Sequence, residues 1–332
     1  SDSQRLKGIT ISATWNSNPG MRLPYSGKHN LSENLNSTNV SWRSLSPDEL
    51  ARAYSPSSMV GDIGPFINRY TKASREAKTV LSDQMYENLC YGDAEDESLD
   101  LFLPDRTLRT GEFPLAVLVH GGYWQELSKD EHAFPAPAWL SAGYAFATLN
   151  YGLAPGSSVA RMVTRCRQAL NWLTVNAERF GYASGKISTI GHSAGAHLIA
   201  CAISPDIAGE GDIQLLASPS RSILIGGIYD LEPICHTYVN QPLGLDPVTA
   251  KQLSPQYHAP DPAVELAIIY AEHETGEFVR QSTEYAQRWQ AASHRSQIIK
   301  VNERHHFDIM FDIADAQSLL FRKISQIPAE PT

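Results

Sequence analysis

From about residue 84 onward, short apolar runs alternate with amphipathic stretches. "MYENLCYG" and "SLDLFLP" read as two strands joined as a hairpin by the acidic turn at 92–97. "PLAVLVH", "YAFATLNY", "KISTIG", "SILIGGIYD", "ELAIIYAE" and "RSQIIKV" read as buried strands: they are short, apolar and mostly rich in β-branched residues. Between them, residues 161–178 and 277–292 repeat apolar positions with a helical period. This alternation predicts an α/β fold with a mostly parallel central sheet and helices on both faces. Upstream, Ser46 followed by Glu49 marks a helix start, and a polar helix is expected over 67–81. Residues 1–45 are rich in Asn, Ser, Gly and Pro and have no clear period. They read as an irregular extension, leaving 46–332 as a single domain.

Composition narrows the partners. Of 332 residues, 36 are acidic and 27 basic, a net charge of −9 that argues against nucleic acid or an anionic membrane. No apolar stretch approaches the ~20 residues that cross a bilayer, and the start lacks a signal-peptide pattern. The expected location is the cytoplasm. Cys90, Cys166, Cys201 and Cys235 form no C-x-x-C pair and no metal spacing, so they read as free thiols in a reducing compartment. The N-x-S/T triplets at Asn30, Asn36 and Asn39 then read as incidental.

Active sites in parallel sheets lie at the carboxyl ends of the strands, and four strand ends carry chemistry. "ISTIGHSAGAHLIACAIS" passes from a β-branched run, through Gly191-His-Ser193-Ala194-Gly195, into a small-residue helix. That is the strand–turn–helix setting of a nucleophile elbow. The glycines let strand and helix approach, and the turn exposes the Ser193 hydroxyl near a helix N-terminus. A serine needs a base, usually a histidine oriented by a carboxylate. His306, in "VNERHHFDIM" after the last strand, is the best placed of eleven histidines, with His305 its neighbour and alternative. The acid should follow the preceding strand, where "AIIYAEHETGEF" offers Glu272, Glu274 and Glu277. Glu272 is still close to the strand, and Glu277 suits the start of a helix. Glu274 is the choice, with Asp230 at the end of "ILIGGIYD" as a rival whose alternative role is a turn or helix cap. "VLVHGGYW" ends a strand in two glycines, so the N–H groups of Gly121 and Gly122 can join that of Ala194 in an oxyanion hole. His120 reads as structural.

"HGGYW" together with "GHSAG" resembles the α/β-hydrolase superfamily, and most closely its kynurenine formamidase (arylformamidase) branch. "AYSPSSMV", "ASREAK", "YGDAEDESLDLFLP", "GIYDLEPI", "EFVRQSTEYAQRW" and "HHFDIM" resemble that branch too, so the likeness runs from about 43 to 325. The resemblance implies an α/β-hydrolase fold with Ser193 as nucleophile, His306 as base and Glu274 as acid. It implies an oxyanion hole from Gly121, Gly122 and Ala194, with Trp124 lining the substrate pocket. Tyr123, beside the hole, stands where other branches more often have a third glycine. The family's acid is usually an aspartate, which keeps Asp230 in play. The implied reaction is hydrolysis of an N-formyl aryl amide, N-formyl-L-kynurenine first, with a short-chain carboxylesterase or a tailoring hydrolase as the alternative. The expected partner is a small-molecule substrate, with no cofactor and no metal, and a homodimer is left open. Arg161, Arg165, Arg167 and Arg280 are candidates for a substrate carboxylate, with none preferred.

Overall fold

A computed structural model describes residues 41–105, 112–211, 213–292 and 294–326. Residues 1–40, which include Asn30, Asn36 and Asn39 and most of the expected N-terminal extension, lie outside the described residues. Within the expected extension, Trp42 stacks on His236 at 5.5 Å and Arg43 pairs with Glu232 at 2.7 Å.

The strands are β1 (Met85–Cys90), β2 (Ser98–Phe102), β3 (Phe113–Val119), β4 (Ala145–Leu149), β5 (Tyr182–His192), β6 (Arg221–Ile225), β7 (Glu265–His273) and β8 (Ser296–His305). They form one sheet in the order β1-β2-β4-β3-β5-β6-β7-β8. β1 and β2 are the expected antiparallel hairpin, and β2 pairs antiparallel with β4. The pairs from β4 through β8 are parallel. Alternate side chains supply two cores. On β3, Leu115, Val117 and Val119 enter one and Ala116 and Leu118 the other. The first core is closed by helices Val159–Val175, Ala194–Ala202 and Gly276–Ala291; the second by Gly64–Val80, Ala136–Ser141 and Leu319–Ile324. Burial on both faces explains why these strands read as continuous apolar runs.

Local signals hold well. Ser46 and Glu49 form a reciprocal capping box on helix Pro47–Ala53. Helix boundaries move by a few residues: 64–80 where 67–81 was expected, because Pro65 sits comfortably in the first turn. The larger change is β6. Its apolar run continues to Asp230, yet the strand ends at Ile225, because Gly226 adopts φ +55° and turns the chain. Residues 228–231 stay buried without being strand.

Three of the four candidate arginines serve the fold. Arg165 clamps the β1–β2 turn, donating to Glu97 at 2.9 Å and Asp96 at 2.8 Å. Arg280 pairs with Glu277 and Glu284 on its own helix. Arg167 is fully buried and donates to the carbonyls of Ala202, Ile213, Cys201, Ser204 and Ile207. It thereby satisfies the open carbonyl end of helix Ala194–Ala202. Arg161 is exposed.

Arg167→Met keeps the apolar stem but strands several buried carbonyls. It is expected to lower the unfolding free energy by about 3 kcal/mol or more, read as a lower urea midpoint; a loss below about 1 kcal/mol would contradict this role.

Candidate active site

β5 delivers its chain into Ser193, which has φ 54° and ψ −118° and is followed directly by helix Ala194–Ala202. A non-glycine residue in that region is strained by about 1–3 kcal/mol. Packing holds it there. A Cβ on Gly195 would lie 2.0 Å from the Val119 carbonyl oxygen, and one on Gly191 would lie 2.5 Å from Ala196 Cα. Neither position has room for a side chain, so the two glycines set the backbone contact between helix and sheet. The Ser193 N–H donates to the Ile225 carbonyl at 2.8 Å, tying the elbow to the end of β6.

The loop after β3 lies against this elbow. A Cβ on Gly121 would lie 3.1 Å from Ser193 Cβ. Gly122, Tyr123 and Trp124 have φ of +106°, +51° and +61°, an unusual run for two aromatic residues. The loop's carbonyls are held inward. Tyr151 Oη donates to the His120 carbonyl at 3.0 Å, and the Gly121 carbonyl accepts from His120 Nδ1 at 2.7 Å. In a trans peptide the N–H points opposite to the C=O. The N–H groups of Gly121 and Gly122 are thus turned away from Tyr151. Ala194 is the first residue of its helix, and an N–H at that position has no intrahelical acceptor.

β7 and β8 supply the other two groups. His306 Nδ1 lies 3.0 Å from both Oε1 and Oε2 of Glu274, and both residues are buried. The carboxylate accepts from Nδ1–H, which fixes the tautomer and leaves Nε2 as the free ring nitrogen. Phe278 and Phe307 stand edge-on to the imidazole at 5.0 and 5.2 Å. His192 Nε2 donates to the His306 carbonyl at 2.9 Å. A Cβ on Gly226 would lie 2.9 Å from Glu274 Oε1 and 3.0 Å from His306 Nδ1. Ser193 thus borders Ile225 and the His306–Glu274 pair borders Gly226, two consecutive residues at the end of β6.

The rivals are placed elsewhere. Asp230 is buried; its Oδ1 accepts from the Glu232 N–H at 3.0 Å and its Oδ2 from Tyr257 Oη at 3.1 Å. Burial pushes its pKa up. It is the turn cap. Glu272 faces Lys300 at 2.7 Å, and Glu277 opens helix Gly276–Ala291, where it accepts from Tyr54 Oη at 2.6 Å. His305 turns to Phe66 and Asp308. Trp124, expected to line a pocket, is fully buried and edge-on to His197 at 5.1 Å. Tyr123 is half-buried and donates its hydroxyl to the Tyr54 carbonyl. Gly226 and His192 escaped the sequence reading. The Gly226-Gly227 doublet inside an apolar run was the available signal.

Among the described residues, one group of three carboxylates is close enough to share an ion: Glu87, Asp100 and Asp130. Lys78 lies within 2.9 Å of all three, and Lys129 within 2.9 Å of Asp100. Two lysines are therefore already seated among the three carboxylates and offset most of their charge. No described helix is long and apolar enough to cross a membrane.

A strained serine between a helix and a mostly parallel sheet, beside a buried imidazole–carboxylate pair, defines an α/β-hydrolase. A family profile described as BD-FAE matches residues 99–210. A kynurenine formamidase of Danio rerio is 33% identical over 84% of this chain and 95% of its own length. One from Salmo salar is 31% identical over 82% and 94%. A solved structure from Silicibacter sp., described as a candidate thioesterase, is 27% identical, with a TM-score of 0.72 over 84% of this chain and 99% of its own. The chain belongs to the kynurenine formamidase family.

The site stands on buried neutral histidines. Burial holds the His120 pKa down at about 3 and that of His197 at about 4. An unfolded histidine titrates near 6.5. Below that pH the unfolded chain takes up protons that the native state refuses. Native stability is thus intact above about 6.5 and is lost as pH falls toward the folded values. Urea unfolding at pH 7.5, 6 and 5 should show a decline of about 1.4 kcal/mol per pH unit for each such imidazole below pH 6; a flat profile would contradict it.

Proposed function

We propose that the protein is a serine hydrolase of N-formyl aryl amides, with N-formyl-L-kynurenine the first substrate to test and L-kynurenine and formate the products. The observation that carries this reading is the Glu274–His306 pair, 3.0 Å apart, beside the strained Ser193 at the end of β6. Family membership supports the formyl substrate.

In this reading His306 Nε2 takes the Ser193 hydroxyl proton as Oγ attacks the formyl carbon. The N–H groups of Gly121, Gly122 and Ala194 hold the oxyanion, each such donor being worth about 10²–10³ in turnover. His306 gives its proton to the arylamine nitrogen as the C–N bond breaks, leaving a formyl ester on Ser193. Water then attacks that ester, His306 taking one proton and returning it to Oγ as formate leaves. Glu274 keeps the imidazole in the right tautomer throughout. An arylamine is a better leaving group than an alkylamine, so acid catalysis by His306 is sufficient. Tyr123, next to the glycines, limits the acyl group to small sizes. The four cysteines are free, which suits a reducing compartment, and we place the protein in the cytoplasm. The likeness to the thioesterase-described chain favours a second reading, a short-chain esterase using the same machinery.

Steady-state assays separate these. Ser193→Ala should lower kcat on N-formyl-L-kynurenine by about 10⁴-fold or more. Glu274→Gln should cost about 10⁴-fold and Asp230→Asn far less; the reverse order would make Asp230 the acid. A formyl anilide and 4-nitrophenyl acetate should turn over much faster than the hexanoyl ester, and equal rates would remove the steric role of Tyr123. Preference for the acetyl ester over N-formyl-L-kynurenine would favour the esterase.

A further inference from the structure

The short helix Pro47–Ala53 lies far from Ser193 in sequence, yet its end touches two of the loops that build the site. Its last carbonyls have no intrahelical donor. The Ala53 carbonyl accepts from Thr275 Oγ1 at 2.5 Å, and the Tyr54 carbonyl accepts from the Tyr123 hydroxyl. Thr275 follows Glu274 directly, and Tyr123 follows the two oxyanion glycines.

The Thr275 contact has a local cost. Thr275 is the N-cap residue of helix Gly276–Ala291, with the extended backbone suited to capping, but its side chain makes no capping hydrogen bond. A threonine at that position ordinarily caps the helix with its hydroxyl. Here the hydroxyl is committed to the Ala53 carbonyl instead. The rest of the contact is equally specific. Tyr54 Oη donates to Glu277 Oε2 at 2.6 Å and accepts from Gln281 Nε2 at 2.7 Å. Gln281 Oε1 accepts the N–H groups of Tyr229 and Asp230 at 2.6 and 2.7 Å. The Tyr54 ring lies 6.4 Å from Phe278, which is itself edge-on to His306.

We propose that Thr275 and Tyr123 are positioning residues: the Ala53 and Tyr54 carbonyls act as one staple that sets the Glu274 loop and the oxyanion loop relative to each other. This rests on the serine-hydrolase reading of the site. It accounts for "AYSPSSMV" and "EFVRQSTEYAQRW", two segments that the catalytic roles leave unexplained. The staple moves no proton. It limits the freedom of the loops that place the imidazole and the oxyanion donors, where a shift of about 1 Å can cost about 10²-fold in rate.

The test uses full-length Thr275→Val, Thr275→Ser and Tyr123→Phe. The readouts are kcat and KM on 4-nitrophenyl acetate and the rate of Ser193 labelling by a fluorophosphonate, at 25 °C, with folding checked by circular dichroism. Thr275→Val and Tyr123→Phe should each lower kcat and the labelling rate about 10- to 100-fold, with KM changed less than about threefold. Thr275→Ser, which keeps the donor, should recover to within about threefold of wild type. If Thr275→Val does not fold, Thr275→Ser and Tyr123→Phe decide the question. Wild-type rates in a folded hydroxyl-less variant, or a Thr275→Ser as slow as Thr275→Val, would overturn the staple alone. Failure of the wild type to label at Ser193 would instead overturn the functional reading and the staple with it.

Discussion

Backbone contact at the Ser193 elbow is the constraint on which the site depends. Helix Ala194–Ala202 sits so close to β3 and β5 that Gly195 and Gly191 leave no space for a methyl group, and Gly121 closes on Ser193 from the next strand end. This closeness gathers a helix N-terminus, a glycine loop and a serine hydroxyl into one small volume. It also forces Ser193 into a backbone conformation that an isolated chain would avoid. The strain persists because the surroundings over-determine it: a sheet on one side, a buried helix on the other, and a hydrogen bond to Ile225 across the turn.

Around that contact the protein maintains polar order in a dry interior. His120 stacks on Tyr151 at 4.3 Å and on His132 at 5.4 Å. His192 reaches across to the His306 backbone. Such groups are costly to bury unpaired and directional once paired, so they orient loops that apolar packing alone would leave loose. The same low dielectric strengthens the Glu274–His306 hydrogen bond. The buried histidines that support the site thereby also make the fold sensitive to acid.

Most of the fold, and the strand ends at which the candidate site residues fall, were legible in the sequence, for a local reason. Periodicity reports burial on two faces, and the sheet is in fact buried on two faces. The Gly-x-Ser-x-Gly turn, the His-Gly-Gly loop, Glu274 and His306 all stand just after strands, and in a parallel sheet those ends meet on one rim. What stayed hidden depends on partners distant in sequence. The apolar run at 222–230 looks like one strand until Gly226 is seen against His306 and Glu274. Trp124 sits beside the loop glycines in sequence, but its indole belongs to the core. Arg165, Arg167 and Arg280 look like surface cations until their acceptors, tens of residues away or on the adjoining helix turn, are known.

The chain alone thus determined the α/β architecture, the helix caps and the residue types at each strand end, since these follow from short-range sterics and from hydrophobic patterning. Tertiary structure decided which carboxylate meets His306, which way each aromatic ring turns, and that the end of an outlying helix joins two loops of the site. Those outcomes depend on which hydrogen-bond donors and acceptors come within about 3 Å of each other, and patterning along the chain carries no such distance.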